Sequence, residues 1–263
     1  MPPLPRPAPP VAPEPVPVAP APQEGGFRLR RVDPPTILSP SERKERFGTV
    51  YEDTRLRDAV NVAFRTPAGR VGAVLVGNLL GRYRNEMVLS GVSGEVVLHV
   101  ADGSASWIAG HPTAERALMV EAGQVVEIDL ETLERSPLGP MPTRIRYLGT
   151  GHLLVFDKDS KRVEVLSHEP MKPLSEGRAL AAFEFGDGPW YLFRLFGPDS
   201  FLRPVAGETT IFEAIRIVGI DDVRFEELGE VVLPDGHDLS KPWAAYLIDG
   251  VPYIQVDGSW FTP

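Results

Sequence analysis

Few residues in this chain are of a type and spacing that could do chemistry. Asp235-Gly236-His237-Asp238 sets one imidazole between two carboxylates in a loop behind Pro234. Oxygen and imidazole donors suit zinc or a harder divalent cation, so Asp235, His237 and Asp238 are the candidate metal ligands. No second histidine stands near them, and Asp and Gly after Pro are ordinary turn residues, so the loop reads first as a turn. Asp157-Lys158-Asp159-Ser160 opens like a calcium loop. The sixth and twelfth positions, which need Gly and Glu, hold Arg162 and His168 instead. That segment reads as a hairpin turn.

The remaining chemistry is excluded or diffuse. His99, His111, His152, His168 and His237 show neither HxH nor HExxH spacing, and there is no GxSxG elbow. Gly69-Arg70-Val71-Gly72 and the stretch Gly77 to Gly81 are glycine-rich but lack the lysine and hydroxyl of a phosphate loop. With no cysteine, disulfides, thiolate metal sites and a cysteine nucleophile are ruled out. Trp107, Trp190, Trp243 and Trp260 sit near turns, where they pack a core or rim or offer ring faces to a sugar. Asp221, Asp222, Glu226, Glu227 and Glu230 form an acidic run. Strand alternation sends Glu226 and Glu227 to opposite faces, so the run reads as a solvated edge that discourages edge-to-edge pairing. No cofactor is expected.

The elements that must position these residues are strands. From Gly69 onward, short β-rich runs are bounded by Gly, Pro or Asp-Gly, with Asp-Gly at 102, 187, 235, 249 and 257. Asp-Gly supplies the positive φ angles of tight hairpins. The expected strands include Val71–Val76, Glu95–Val100, Ala117–Glu121, Leu153–Asp157, Trp190–Phe196, Thr210–Val218 and Ala244–Ile248. Arg224–Leu228 and Val231–Leu233 read as two separate strands. No segment of helical period and length follows Gly69. The stretch from Glu115 to His168 reads as two like units, each a strand, a glycine turn (Ala122-Gly123, then Thr150-Gly151), a strand and a charged turn. Turn glycines recur at steps of roughly 30 residues, which implies lean three-stranded repeats or a regrouping into about five full ones of about 40 residues.

Gly123-Gln-Val-Val-Glu-Ile-Asp129 and Gly151-His-Leu-Leu-Val-Phe-Asp157 resemble blades of the YVTN/PQQ-like β-propellers, and three other units share the form more loosely. The resemblance implies an all-β fold of antiparallel hairpin repeats, propeller-like. The alternative on the same signals is a β-sandwich or barrel.

About half of residues 2–22 are proline, which removes backbone donors and favours extended polyproline II. Such a segment cannot fold alone. It is a spacer or an arm held on a partner, and the arm residues expected to make contact are Pro2, Pro3, Leu4, Pro5, Arg6, Pro10, Val11, Val16 and Val18. The expected organisation is a Pro-rich arm over 1–26, a connecting segment with short helices over 27–66, and an all-β repeat domain over 67–263. In the connecting segment Ser39-Pro40 caps one short helix, and Thr54 to Phe64 reads as another running into a strand.

The formal charge of −9 argues against nucleic acid as the main partner, because phosphate neutralisation needs a basic face. Met1 to Pro10 lacks the apolar core of a signal peptide, and the longest largely apolar run, Val71 to Leu80, is shorter than the about 20 residues a membrane helix needs. The expectation is a cytoplasmic or virion protein without catalytic activity, a structural or interaction component of a larger assembly such as a bacteriophage virion or tail, anchored by its arm. Its partners are then other protein subunits, including further copies of the chain. The alternative is a carbohydrate-binding or glycoside-processing propeller.

Overall fold

The computed structural model describes residues 26–35, 64–79, 82–100, 105–186 and 188–263, with backbone alone at 75–79 and 82–85. The Pro-rich arm and the two helices expected before Phe64 lie outside the described residues. No helix among those described is long and apolar enough to cross a membrane.

Two short strands, β1 (Phe27–Arg28) and β2 (Arg30–Val32), come first. Five antiparallel sheets follow in order. The first is β3 (Phe64–Arg65), β4 (Val71–Leu79), β5 (Arg82–Ser90) and β6 (Val96–Val100). The second is β7 (Ala105–Gly110), β8 (Arg116–Glu121), β9 (Gln124–Asp129) and β10 (Arg135–Pro140). The third is β11 (Arg144–Tyr147), β12 (Leu153–Asp157), β13 (Arg162–Ser167) and β14 (Arg178–Phe183). The fourth is β15 (Leu195–Gly197), β16 (Ser200–Pro204), β17 (Ile211–Val218) and β18 (Arg224–Val232). The fifth is β19 (Trp243–Ile248), β20 (Val251–Val256) and β21 (Ser259–Thr262).

Each sheet is an up-and-down meander, and the first strands lie against one another: β3 on β7, β7 on β11, β15 on β19. First strands at the centre and meanders running outward make a five-bladed β-propeller. The propeller expectation therefore holds, and the fold is neither sandwich nor barrel. The last blade takes its fourth strand from the other end of the chain: β2 pairs antiparallel with β21. β1 adds in parallel to the outer strand of the fourth blade, with Phe27 opposite Val231. Segment 27–32, read from sequence as the start of a connector, thus supplies two strands of the body. An ion pair at 3.5 Å between Arg65 of the first blade and Asp249 of the fifth brings the ends of the ring together.

Four apolar clusters fill the seams between successive blades. Met87 and Leu89 meet Trp107 and Met119; Leu118 and Val125 meet Ile145 and Leu153; Leu154 and Val163 meet Phe201 and Ile215; Phe196 and Phe212 meet Ile254 and Phe261. A blade is covered on both faces, so its middle strands are apolar without alternation. The Phe64 ring slots between Gly72 and Gly110, where any Cβ would strike it, and meets Trp107 edge-on at 5.2 Å.

Turn chemistry sets the hairpins. Ala122-Gly123, Asp249-Gly250 and Asp257-Gly258 each hold two successive positive φ angles, the twist-matching turn of a two-residue hairpin. The recurring glycines, however, do not mark one place in the repeat. Gly123 turns β8 into β9, whereas Gly151 precedes β12, so the two units read as equivalent are one strand out of phase. The first strands begin at Phe64, Ala105, Arg144, Leu195 and Trp243, steps of about 40 to 50 residues, as full four-stranded blades require.

Three local expectations are corrected. Trp190 to Phe196 is not one strand: Pro189–Phe193 is a 3-10 turn, and β15 starts after it. Proline sits in its first turn, where no donor is missed. The two strands expected over 224–233 are one, β18, whose register slips opposite Ala214 and Ile215 so that both halves stay on β17. β10 was hidden by Pro137 and Pro140, which an outer strand tolerates because one of its sides has no ladder to complete.

Candidate functional site

All five meanders run outward from the axis, so the first strands begin at one end of the ring. There the 3-10 turn before β15 delivers Trp190, Tyr191 and Arg194, and β19 delivers Trp243 and Tyr246. Tyr191 stacks on Trp243 with ring centres 6.1 Å apart and planes 14° from parallel. Trp190 leans on Tyr191 at 5.5 Å and leaves 47% of its surface open. The Arg194 guanidinium carbon lies 5.1 Å from the Trp243 ring centre, within cation–π range. Phe212 meets Trp243 edge-on at 4.7 Å. Trp260 flanks Tyr246 at 5.4 Å.

The charges here are unbalanced. Burial lowers the Arg194 pKa and nearby Arg144 lowers it further, while Tyr246 and Tyr191 oppose them. Burial raises the Tyr246 hydroxyl, and Arg194 works against that rise. No carboxylate is among the groups acting on Arg194, and its side chain donates no hydrogen bond to a described residue. Among the described residues Arg144 donates only to its neighbour's carbonyl, Thr143 O, at 3.0 Å.

One turn of the pleat along β11 from Arg144 is Arg146, 5% exposed. Its Nη1 donates to Pro198 O at 2.7 Å, across the seam to the fourth blade. Nε and Nη2 are buried with no partner among the described residues. Burial pulls this guanidinium down to about 10, with Asp199 opposing, so it stays a cation at neutral pH. Ile145 and Tyr147 point the other way, into the second blade's seam.

That other seam holds a buried polar group centred on Glu127. Glu127, 0% exposed, takes the Tyr147 hydroxyl at 2.8 Å and an Arg116 N–H at 3.4 Å on Oε1. On Oε2 it takes His168 Nε2 at 3.0 Å and the Met171 N–H at 2.5 Å. Burial works to raise this carboxyl, but the hydrogen bonds from His168, Met171 and Tyr147 prevail and hold it below its ordinary value. His111 completes the group. Its Nδ1 accepts the N–H groups of Thr113 and Ala114, its ring meets Tyr147 at 4.7 Å, and any Cβ on Gly151 would crowd its Nε2. Burial, then Arg116, lower its pKa to about 4. An acid, a tyrosine, an arginine and two histidines resemble a catalytic set, yet with Glu127 and His168 sealed from solvent they clamp the second blade to the third.

The residues singled out from sequence fall elsewhere. Asp238 Oδ1 accepts the Ser240 N–H, and hydrogen bonds from the Ser240 hydroxyl and then its N–H hold the Asp238 pKa low; His237 lies edge-on to Phe261 at 4.8 Å. No group of three His, Asp or Glu with metal-binding geometry occurs among the described residues. Asp157 Oδ1 accepts the Asp159 N–H in the turn to β13. In the acidic run, Glu226 and Glu227 are exposed on β18, and Arg216 pairs with Glu226 at 3.5 Å. Trp107 is 2% exposed, its Nε1 donating to Val88 O, and so lies in the core, whereas Trp190 and Trp243 meet through Tyr191 and Trp260 backs Tyr246. The arm residues Pro2 to Val18 lie outside the described residues. Sequence reading missed Arg144, Arg146, Arg194 and Glu127. The one local signal was a Trp-Tyr pair behind a proline with an arginine three residues on; nothing near Arg144 or Glu127 marked them.

Comparison with known proteins yields no matching family and no matching curated protein. Among solved structures, the chain aligns with the Pyrococcus horikoshii acylaminoacyl peptidase at 16% identity and a TM-score of 0.45, over 79% of this chain and 36% of that one. It aligns with TolB from Acinetobacter baumannii at 13% identity and 0.38, over 80% and 54%. With a putative gluconolactonase the figures are 11% and 0.33, over 81% and 74%. The chain thus spans about a third to a half of the first two proteins.

Proposed function

We propose that the chain is a non-catalytic interaction propeller, a component of a larger protein assembly that it joins through its Pro-rich arm and through the mouth of the ring. The observation that carries this reading is the make-up of that mouth: aromatic faces and arginines, with no acid, base or nucleophile pair beside them among the described residues. The buried acid that could serve as a proton donor, Glu127, is consumed by four hydrogen bonds in a closed seam. An exposed aromatic face beside a desolvated arginine is the composition of a protein–protein hot spot. A virion or tail particle is the kind of assembly that fits a Pro-rich arm on a cysteine-free β body, with other protein subunits, copies of this chain included, as partners.

The test is to express tagged full-length chain and a form lacking residues 1–24 in the native host and follow each into particle-sized fractions. The truncated form folds and stays in the light fractions on this reading; equal incorporation of both forms refutes the anchoring role. A second reading, carbohydrate binding, is favoured by the open Trp190 ring alone. A glycan array that retains the full chain, with loss in Trp190→Ala, would establish it.

A further inference from the structure

We infer that the mouth, where Arg144 of the third blade, the turn before the fourth and Trp243 of the fifth come together, takes a carboxylate carried beside a flat side chain, in an acidic segment of the partner protein. This deepens the interaction reading above and rests on it. Three features of the site converge. Arg194 holds its guanidinium carbon 5.1 Å from the Trp243 ring centre, a cation–π contact that uses none of its N–H groups. Those N–H groups meet no acceptor among the described residues, and Arg144 adds a second positive charge from the neighbouring strand. Behind them Arg146 is buried with Nε and Nη2 unpartnered, so the seam already bears the cost of a desolvated cation.

A carboxylate is the group that a guanidinium edge binds with two parallel bonds. The chain as a whole carries −9, so Arg194 and Arg144, which pair with no acid among the described residues, stand against the general field of the molecule, and Arg146 behind them has Asp199 alone acting against its burial. The platform of Trp190, Tyr191 and Trp243 adds ring faces beside that charge, which suits a tyrosine or phenylalanine next to the acid. A saccharide would need acceptors for its hydroxyl protons as well as donors. The titratable groups that shift Arg194 are two tyrosines and an arginine, so beyond two phenol oxygens none of them accepts a sugar proton.

The experiment titrates the full chain with a random glutamate–tyrosine copolymer and follows tryptophan fluorescence, with heat of binding as a second readout. A lysine–tyrosine copolymer and oligogalacturonate are the comparisons. The glutamate–tyrosine copolymer binds and shifts the emission, more weakly as salt rises. Arg194→Ala weakens it roughly tenfold or more, and Arg194→Lys recovers only part of the loss, because an ammonium lacks the two-pronged edge. Arg144→Ala, at an exposed position, weakens it less and serves if Arg194→Ala alters the thermal midpoint. The inference is overturned if the copolymer does not bind or binds Arg194→Ala and Arg144→Ala as tightly as the parent. It is overturned equally if the lysine copolymer matches it, which makes the rings sufficient, or if oligogalacturonate matches it, which makes the mouth a site for acidic sugars. Failure here with loss of incorporation on deleting 1–24 sinks the acidic-segment assignment and leaves the interaction reading standing.

Discussion

Replacing Glu127 by glutamine tests whether the buried group between the second and third blades holds the ring together. The change keeps shape and volume and removes the charge. Glutamine has one acceptor oxygen where glutamate has two. With that oxygen turned to His168 and the Met171 N–H, the new amide faces Tyr147 and Arg116. The tyrosine hydroxyl can rotate to accept, but the Arg116 N–H cannot. One charge-assisted bond becomes a donor–donor contact and three others lose their charge. Hydrogen bonds to charged groups contribute about 1.5–3 kcal/mol each, and removing one partner of a buried pair costs about 3–5 kcal/mol. The expected loss is about 3 kcal/mol at pH 7, or a melting midpoint roughly 6–12 °C lower for a domain of this size. Urea titration followed by tryptophan fluorescence measures it, and an unchanged slope confirms that the same two states are compared. In a double-mutant cycle with Tyr147→Phe, the two changes couple by about 1 kcal/mol or more, since the hydroxyl and carboxylate touch. A loss under about 1 kcal/mol, or strict additivity with Tyr147→Phe, would refute the claim that this group clamps the blades.

Three further outcomes follow from the same structure. Because the His111 pKa falls from 6.5 to about 4 on folding, the unfolded chain binds the proton first, and stability declines as pH drops from about 6.5 toward 4, by at most roughly 3 kcal/mol. Glu127, whose folded pKa is depressed, adds its own loss below its ordinary value of 4.5; urea midpoints at stepped pH record both, and His111→Asn, whose amide oxygen can still accept the Thr113 and Ala114 N–H groups, flattens the upper part of the curve. Arg146→Met removes a buried cation with two orphan nitrogens and leaves stability unchanged or raises it by about 1 kcal/mol, a result that a midpoint drop of several degrees would contradict. Phe27→Ala empties a fully packed ring position against Phe196 at 5.0 Å and costs about 3–5 kcal/mol, which a wild-type midpoint would disprove, since a dispensable connector would show no such loss.

How far the fold could be read from the chain depends on what each residue reports. Asp249-Gly250 and Asp257-Gly258 were legible because a backbone with two positive φ angles admits few residue types, and the sequence shows which. The phase of the repeat was not legible, because Gly123 and Gly151 solve the same local problem at different turns of the blade. A glycine reports its own dihedral and not the strand that comes next. β10 was lost for a related reason: Pro137 forbids a ladder bond on one side only, and a single sequence does not say which side is open. β1 and β2 are too short to show a period, and what makes them strands is a partner some 200 residues away.

The site was harder to read because its parts report nothing alone. Trp190, Tyr191 and Arg194 stand within five positions, but the rings gain their platform only when β19 brings Trp243 beneath them. Arg144 and Arg146 look like ordinary strand arginines until β11 is seen to turn that face to the fourth blade, where Pro198 takes one N–H and leaves two nitrogens dry. Glu127 lies between Val126 and Ile128 in a strand buried on both faces, and a charge at such a position must find partners in another blade. The same both-sided burial that erases alternation therefore marks where to look. In a blade's inner strands, a charged residue is either a clamp satisfied across the seam, as Glu127 is, or an unsatisfied group like Arg146. The second kind costs stability that the fold itself does not recover, and that asymmetry is the physical ground for the proposal that recognition falls beside the seam of the third and fourth blades and not at the better-bonded seam before it.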